Sequence, residues 1–230
     1  MTYVISNIHG NYDKFCEMLQ KISFKDTDVM YILGDMVDYG DKSMELIGDV
    51  SMRYNVLPIL GEHDMRAYKL LSVLDAMLRD GDMPDADILA EMTEWITDGG
   101  QKTMEGFKAL DDEMREGVLD YLSDMSLYEE VEVKGKKYLL VHAGIADFDE
   151  DLDLDDCMPE DFISEELDFE REYFEDVTVI VGHVPTGNIP GGVEGKIFRS
   201  DKNSIAIDCG AAFGETLGCL CLENGKEFYV

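Results

Sequence analysis

Residues 2–12 read TYVISNIHGNY. Residues 2–6 are β-branched and apolar enough for a short strand, which runs into a polar turn carrying His9 and Gly10. Such a turn suits the delivery of a metal ligand. A helical pattern follows near 11–22, then an apolar run VMYIL (29–33), a second helical pattern near 43–53, and VLPIL (56–60). Short strands alternating with helices predict parallel βαβ units. Over about 65–126 strand character disappears, and methionine, leucine and acidic residues fall at helical spacing, broken at GDMPD (81–85) and DGG (98–100). This stretch reads as a helical insertion between two halves of a sheet protein. Tyr31, Trp95 and the methionines of the insertion lie at core-like spacing and are expected to pack. Strands return in LYEEVEV, KYLLVHA, VTVIVGH, SIAIDC, TLGCLCL and EFYV. The expectation is a single α/β domain over 1–230.

The formal net charge is −32, and 45% of residues are hydrophobic. The chain has the apolar content for a core, and a surface this acidic repels nucleic-acid phosphates and anionic membranes. It favours divalent metals or cationic ligands, or reflects a salt-rich habitat or a simple need for solubility. Five cysteines at irregular spacing make no disulfide framework; Cys219 and Cys221 alternate on one predicted strand and read as buried thiols. No apolar run approaches the ~18 residues of a membrane span, and no basic stretch precedes an apolar one at the start. A cytoplasmic, soluble protein is expected. Between Asp147 and Asp176, 16 of 30 residues are acidic and Arg171 is the only basic one. Asp149, Asp151, Asp153, Asp155 and Glu160 match the offsets of a calcium loop, but Leu154 occupies the position where that loop turns on glycine. The segment is therefore expected to be a solvated acidic loop.

The four histidines carry the functional signal. His9, His63, His142 and His183 each sit at or just beyond the end of an apolar run. Ligands of α/β sheets bind beyond the carboxyl ends of strands, so the four are predicted to converge there. A further strand end, YILGDMVDYG, adds Asp35 and Asp38. Imidazole with carboxylate suits Mn, Fe, Zn or Co better than Ca or Mg. A carboxylate between two such ions can bridge them, as two-metal hydrolytic sites require.

Taken in order, NIHGN, GDMVDYG, GEHD, LLVHAG and GHVPT resemble the five motifs of the calcineurin-like metallophosphoesterases. The likeness is to the PPP-type branch of serine/threonine phosphatases and diadenosine tetraphosphate hydrolases, and it runs from strand 2–6 to IAIDCGAAFGETLGCLCLE. The resemblance implies a four-layer α/β/β/α sandwich and two divalent metal ions, manganese first, with iron, zinc or cobalt as alternatives. It places Asn7, His9 and Asp35 around the first ion, with Asp35 bridging to a second held by Glu62, His142 and His183. His63 would protonate the leaving group, Asp38 would orient His63, and water activated by the cations would attack.

The motifs also depart from the family pattern. Asn7 stands where the first motif has aspartate, and Glu62 where the third has asparagine. Formal charge moves from the first metal to the second. Two outcomes remain open: a binuclear site with altered preference, or one tightly bound ion with a weak first position. Tyr39 replaces the arginine of GDxVDRG, and SEELDF puts Glu166 where a second phosphate-gripping arginine is usual. Each lost clamp is expected to cost about 2–4 kcal/mol of transition-state stabilisation, by analogy with removing an oxyanion donor. Tyr39 and Arg66 are the candidate substrate contacts, with Lys69 and Arg199 as further cations that compensate if the fold brings them near. The expected activity is metal-dependent hydrolysis of a phosphate ester on a small molecule or peptide. The alternatives are a hydrolase for an uncharged or cationic, peptide-borne substrate and a non-catalytic binding protein.

Overall fold

The computed structural model describes residues 1–81, 83–149 and 152–230. Two five-stranded mixed sheets face each other. The first has the order β10-β9-β1-β2-β3, built from β1 (Thr2–Ile5), β2 (Val29–Leu33), β3 (Val56–Ile59), β9 (Gly218–Cys221) and β10 (Glu227–Tyr229). In it β1, β2 and β3 are parallel, and β9 returns antiparallel against β1 with Tyr3 opposite Cys221. The second has the order β4-β5-β6-β8-β7, from β4 (Tyr128–Val133), β5 (Lys136–Val141), β6 (Val177–Val181), β7 (Phe198–Arg199) and β8 (Ser204–Ala206).

Alternation sends one side of each strand into the space between the sheets. Val4, Leu33, Ile59, Leu140, Ile180, Ile205 and Leu220 meet there as one buried cluster. The other side of the first sheet is covered by helices: α1 (Tyr12–Ile22), α2 (Ser43–Ser51), α3 (Glu62–Asp80), α4 (Ala86–Trp95), α5 (Gln101–Lys108) and α6 (Asp112–Ser123). In α1 the inward stripe is Phe15, Met18 and Ile22, and Ser23 ends the helix in the left-handed region. Cys219 and Cys221 both join this helix-side cluster, so the strand buries its two thiols on one face as expected.

The outer face of the second sheet carries a thinner layer, the short helix α7 (Pro159–Ile163) and its flanking loops. Here the acidic segment differs from the expected solvated loop. Phe148, Phe162, Ile163, Leu167 and Tyr173 bury themselves against β5 and β6, while Asp147, Asp149, Glu165, Glu166 and Asp168 stay exposed. Arg171 lies over the rings of Phe148 and Tyr173. Asp151, one of the calcium-loop offsets, lies outside the described residues. The two-residue β7 was not anticipated; so short an edge strand has no periodicity to read. The break at DGG is present: Asp98 and Gly99 leave helical geometry between α4 and α5. Among the described residues no helix is long and apolar enough to cross a membrane.

All the candidate loops leave the same ends of the central strands. At Gly34, which follows β2, φ is +70°, and an added Cβ would lie 2.4 Å from His142 Nδ1 and 2.6 Å from Gly61 Cα. Three loops thus meet at a point with no room for a side chain. Gly34→Ala is expected to lower stability by at least about 2 kcal/mol, because it adds backbone strain to a clash. A urea unfolding midpoint equal to that of the native chain would contradict this packing.

Candidate metal centre

Six of the residues that build the site adopt a conformation L-residues avoid. Asn7, His9, Asp35, Asp38, Tyr39 and His183 all have φ between 49° and 72°. Each costs on the order of 1–3 kcal/mol and persists only where surrounding bonds fix it. Those bonds are present. The β1 loop is laced to the β2 loop by Asn7 N–H to Gly34 O at 3.1 Å, His9 N–H to Asp35 O at 2.9 Å and Gly10 N–H to Met36 O at 2.7 Å. The Asp64 carboxylate accepts from Met36 N at 2.9 Å, Val37 N at 3.3 Å and Gly61 N at 3.2 Å, which ties the β2 loop to the start of α3. Its acid is pushed up by burial and by the charge of Asp35, against the pull of those backbone donors.

Asp35 lies at the centre, buried. His9 Nε2 is 3.6 Å from its Oδ2 and His142 Nε2 is 3.5 Å from its Oδ1. On the far side of each ring, His9 Nδ1 meets Val37 O at 2.9 Å and His142 Nδ1 meets Leu33 O at 2.8 Å. A carbonyl only accepts, so both Nδ1 atoms carry a proton, and in the neutral rings both Nε2 lone pairs face the carboxylate. His183 joins them, its Nδ1 3.2 Å from His142 Nε2. Rings held from behind at Nδ1 and turned by Nε2 onto one buried carboxylate present the ligand atoms that a metal site uses. The donor set thus fits divalent metal ions. Two groups whose ligand atoms all lie within 4.8 Å share Asp35: His9, Asp35 and His63; and Asp35, His142 and His183.

Protonation agrees with this. Burial lowers His9 despite the opposing charge of Asp35, and burial with the neighbouring His142 lowers His183, so both are held neutral as ligands must be. Asp35 is held below the ordinary carboxylate range: burial opposes this, and the positive charge that His142, His9 and His63 carry when protonated, together with the His63 N–H, outweighs it.

Asn7 and Glu62 take different positions from those their formal charges suggest. Asn7 is buried; its Oδ1 accepts the His183 N–H at 3.0 Å and also bonds Ser6 Oγ, while Nδ2 donates to Asp35 Oδ2 at 3.1 Å. Reversing the amide would set N–H against N–H at His183. Asn7 therefore turns its nitrogen, not its oxygen, toward the centre. The Glu62 side chain is 50% exposed and its Oε2 is 3.9 Å from His183 Nδ1, at the rim.

His63 stands beside the pair of groups with its Nδ1 2.8 Å from Asp38 Oδ2. The same oxygen receives the indole N–H of Trp95 at 2.8 Å. Tyr39 reaches the centre: its ring centroid is 5.0 Å from that of His9 and 5.2 Å from that of His63. Arg66 bonds Asp98 at 2.9 Å, and Asp98 also accepts from Tyr39 Oη at 3.4 Å. Lys69 and Arg199 are instead paired with Glu91 and Glu227. Glu166 lies within electrostatic reach of His183. A cleft of about 670 Å³ opens from Glu166 and Val184 toward Phe169, Phe198 and Lys202.

Three residues escaped the sequence reading. Asp64 was visible as the last residue of GEHD. Trp95, expected only to pack, is fully buried and also bonds Asp38; its signal was being the sole tryptophan, just ahead of DGG. Asp208, in IAIDCG, is buried near the centre and held up to about 7 chiefly by burial; nothing but its place after a strand marked it.

A two-sheet α/β sandwich with imidazoles and a shared carboxylate at its strand ends defines a class of metal-dependent proteins. The chain belongs to the calcineurin-like phosphoesterase family, whose model matches residues 2–213. It is 38% identical over 71 residues to a symmetrical bis(5'-nucleosyl)-tetraphosphatase of Buchnera aphidicola, a match covering 30% of this chain and 26% of that protein. It is 33% identical over 106 residues to the enzyme of the same name from Salmonella paratyphi B, covering 41% of this chain and 36% of that one. The matched stretches thus span well under half of these curated relatives. Among solved structures, a protein assigned as a diadenosine tetraphosphatase superposes with a TM-score of 0.67 at 16% identity, over 100% of this chain and 92% of the other. A metallophosphoesterase from Sphaerobacter thermophilus gives 0.56 at 16% identity, over 99% and 86%.

Burial lowers His63, but the bond to Asp38 and the charge of Asp35 outweigh it and raise the imidazole from 6.5 to about 9. In metal-free protein the stabilisation from this pair is therefore complete below about 6.5 and lost as pH rises through about 9. NMR titration of the His63 ring is expected to show a midpoint well above the ordinary value. A divalent ion beside Asp35 is expected to move it down, since positive charge opposes the imidazolium. A metal-free midpoint at the ordinary value would remove the ion pair.

Proposed function

We propose that the protein is a metal-dependent phosphoric ester hydrolase. One observation carries the reading: the Nε2 lone pairs of His9 and His142 aim at the two oxygens of the same carboxylate, Asp35, with the His63–Asp38 pair alongside. Asp35, His142 and His183 would hold the tighter ion, with Glu62 closing over it from the rim. Asp35 and His9 would hold the weaker one, because Asn7 offers that position an amide N–H in place of a carboxylate oxygen. Manganese is the first choice for such a set, ahead of iron, zinc or cobalt. When bound, the ions supply Lewis acidity that activates water and neutralises the phosphoryl group.

The chain's own residues do the rest. His63, protonated and held at Nδ1 by Asp38, presents Nε2 to the leaving oxygen and gives it a proton as the P–O bond breaks. Tyr39 flanks both His9 and His63 and positions the ester, with Arg66 anchored at its edge through Asp98. The relatives' names favour a nucleoside polyphosphate or similar small phosphate as substrate, and the cleft lined by Glu166 and Val184 has room for its body. Five free thiols suit a reducing cytoplasm. We treat the chain as one domain in which the helices of 65–126 roof the first sheet.

A second reading rests on Tyr39 and Glu166, which stand where the family resemblance has arginines, and on the acidic segment 147–176; their lack of positive charge suits an uncharged or cationic substrate cut by the same machinery. Inhibition separates the two, since vanadate and inorganic phosphate compete with a phosphate ester and not with a cation.

Purified chain with Mn²⁺ is expected to hydrolyse p-nitrophenyl phosphate, to lose this with EDTA, and to drop about 10²–10⁴-fold in kcat as His63→Asn. Absence of turnover with every divalent ion tried would sink the reading. Asn7→Asp is expected to raise bound metal per chain, measured by elemental analysis after dialysis, by strengthening the position near His9. Equal metal content in both proteins would mean that the first position does not depend on residue 7.

A further inference from the structure

We propose that the turn between α4 and α5 is a holder for the proton donor, with Trp95 as its principal positioning residue: it fixes Asp38, and through Asp38 the orientation of His63. This rests on the reading of His63 as the leaving-group acid.

The end of α4, the turn and the start of α5 grip the β2 loop at three polar points. Trp95 Nε1 donates to Asp38 Oδ2 at 2.8 Å, the oxygen that His63 Nδ1 also meets at 2.8 Å. Asp38 N–H donates to Thr103 Oγ1 at 3.0 Å, and Thr103 Oγ1 shares a hydrogen bond with Ser43 Oγ at 3.0 Å. Tyr39 N–H donates to Gly99 O at 3.0 Å. Asp38 and Tyr39 both sit at positive φ, 72° and 57°, so they need such outside support. The indole has no freedom to swing away. Trp95 is fully buried, and an added Cβ at Gly100 would lie 2.3–2.5 Å from its ring, so the ring lies flat against the turn.

The chemistry explains why two donors share one oxygen. Among the described residues Asp38 Oδ1 is buried without a partner, and both N–H groups converge on Oδ2. With a single donor the carboxylate could rotate about its Cβ–Cγ bond and carry His63 with it. The indole N–H removes that rotation and leaves Oδ2 as the one seat for the imidazole. His63 Nε2 then points at one place, where the leaving oxygen of the ester must lie. The helical insertion is in this way part of the acid, through Trp95, Gly99 and Thr103, none of which touches substrate.

A misplaced acid slows esters whose leaving oxygen is basic more than those whose leaving oxygen is not, and this gives the test. The Mn²⁺-loaded chain is assayed with p-nitrophenyl phosphate and with an alkyl phosphate monoester. Trp95→Phe is expected to lower kcat on the alkyl ester about tenfold further than on the aryl ester, with KM moving little on either. Combined with His63→Asn it is expected to add no further loss. Thr103→Val is expected to give the same bias in weaker form, and Thr103→Ser to restore native behaviour, which covers the case where Trp95→Phe fails to fold. Equal losses on both esters, or losses that multiply in the Trp95→Phe/His63→Asn chain, would overturn the proposal. If the native chain hydrolyses neither ester, the phosphatase reading fails and NMR decides the holder alone. As the only tryptophan, Trp95 gives a single indole N–H resonance. Asp38→Asn is expected to shift it, and Thr103→Val to broaden or shift the His63 Nδ1–H signal. Unchanged resonances in both would overturn the holder whatever the activity.

Discussion

A buried carboxylate surrounded by lone pairs is the constraint on which this structure turns. Asp35 sits at the end of β2 with His9 Nε2 and His142 Nε2 facing its two oxygens. Such an arrangement is repulsive unless positive charge occupies it, so the fold must hold it open by other means. Backbone carbonyls do this by fixing both imidazole tautomers from behind. Backbone N–H groups and the Asp64 carboxylate hold the loops in conformations they would not choose. The strained backbone and the crowded glycines are concentrated here because folding energy gained in the three apolar clusters is being used to assemble a cation site.

Much of this was legible in the sequence, for a simple reason. Strand ends converge in an α/β protein, so a histidine placed after each of four apolar runs must meet the others. Period-two and period-3.6 patterns gave the strands and helices that form the layers. The residues that stayed hidden act across long sequence separations. Trp95 meets Asp38 from 57 positions away, and nothing in local spacing distinguishes an indole that packs from one that also donates a hydrogen bond. The acidic segment misled in the opposite way, since its high charge masked Phe148, Phe162, Leu167 and Tyr173, which fold it onto the second sheet. Alternating acids and apolar residues on an irregular backbone carry no period to recognise.

Charge counting along the chain treated Asn7 and Glu62 as an even exchange, and burial shows why it is not even. Asn7 is enclosed, and its amide is locked by the His183 N–H, so what it presents to Asp35 is fixed. Glu62 is half in solvent and can move toward or away from His183. A charge in water is screened several-fold more strongly than one in the interior. A carboxylate at the first position would therefore count for more than one at the rim, and this is why the proposed reading makes the two metal positions unequal.

The same inequality bears on the substrate. With a net charge of −32, and with Tyr39 and Glu166 at the positions the family resemblance assigns to arginines, the surface does not draw an anion in. On the proposed reading, positive charge in the centre comes from the metal ions it would hold and from the imidazolium of His63. Arg66 is largely spent on Asp98. An anionic ester must then be recognised by the cations that activate it and by the proton that releases its product, with little binding held in reserve elsewhere. Under that condition the orientation of one imidazole matters more than in a site with arginine clamps, because few other contacts remain to hold the leaving group in line. A buried indole hydrogen bond from the helical layer, rigid and independent of salt, is the kind of support such a stripped site requires.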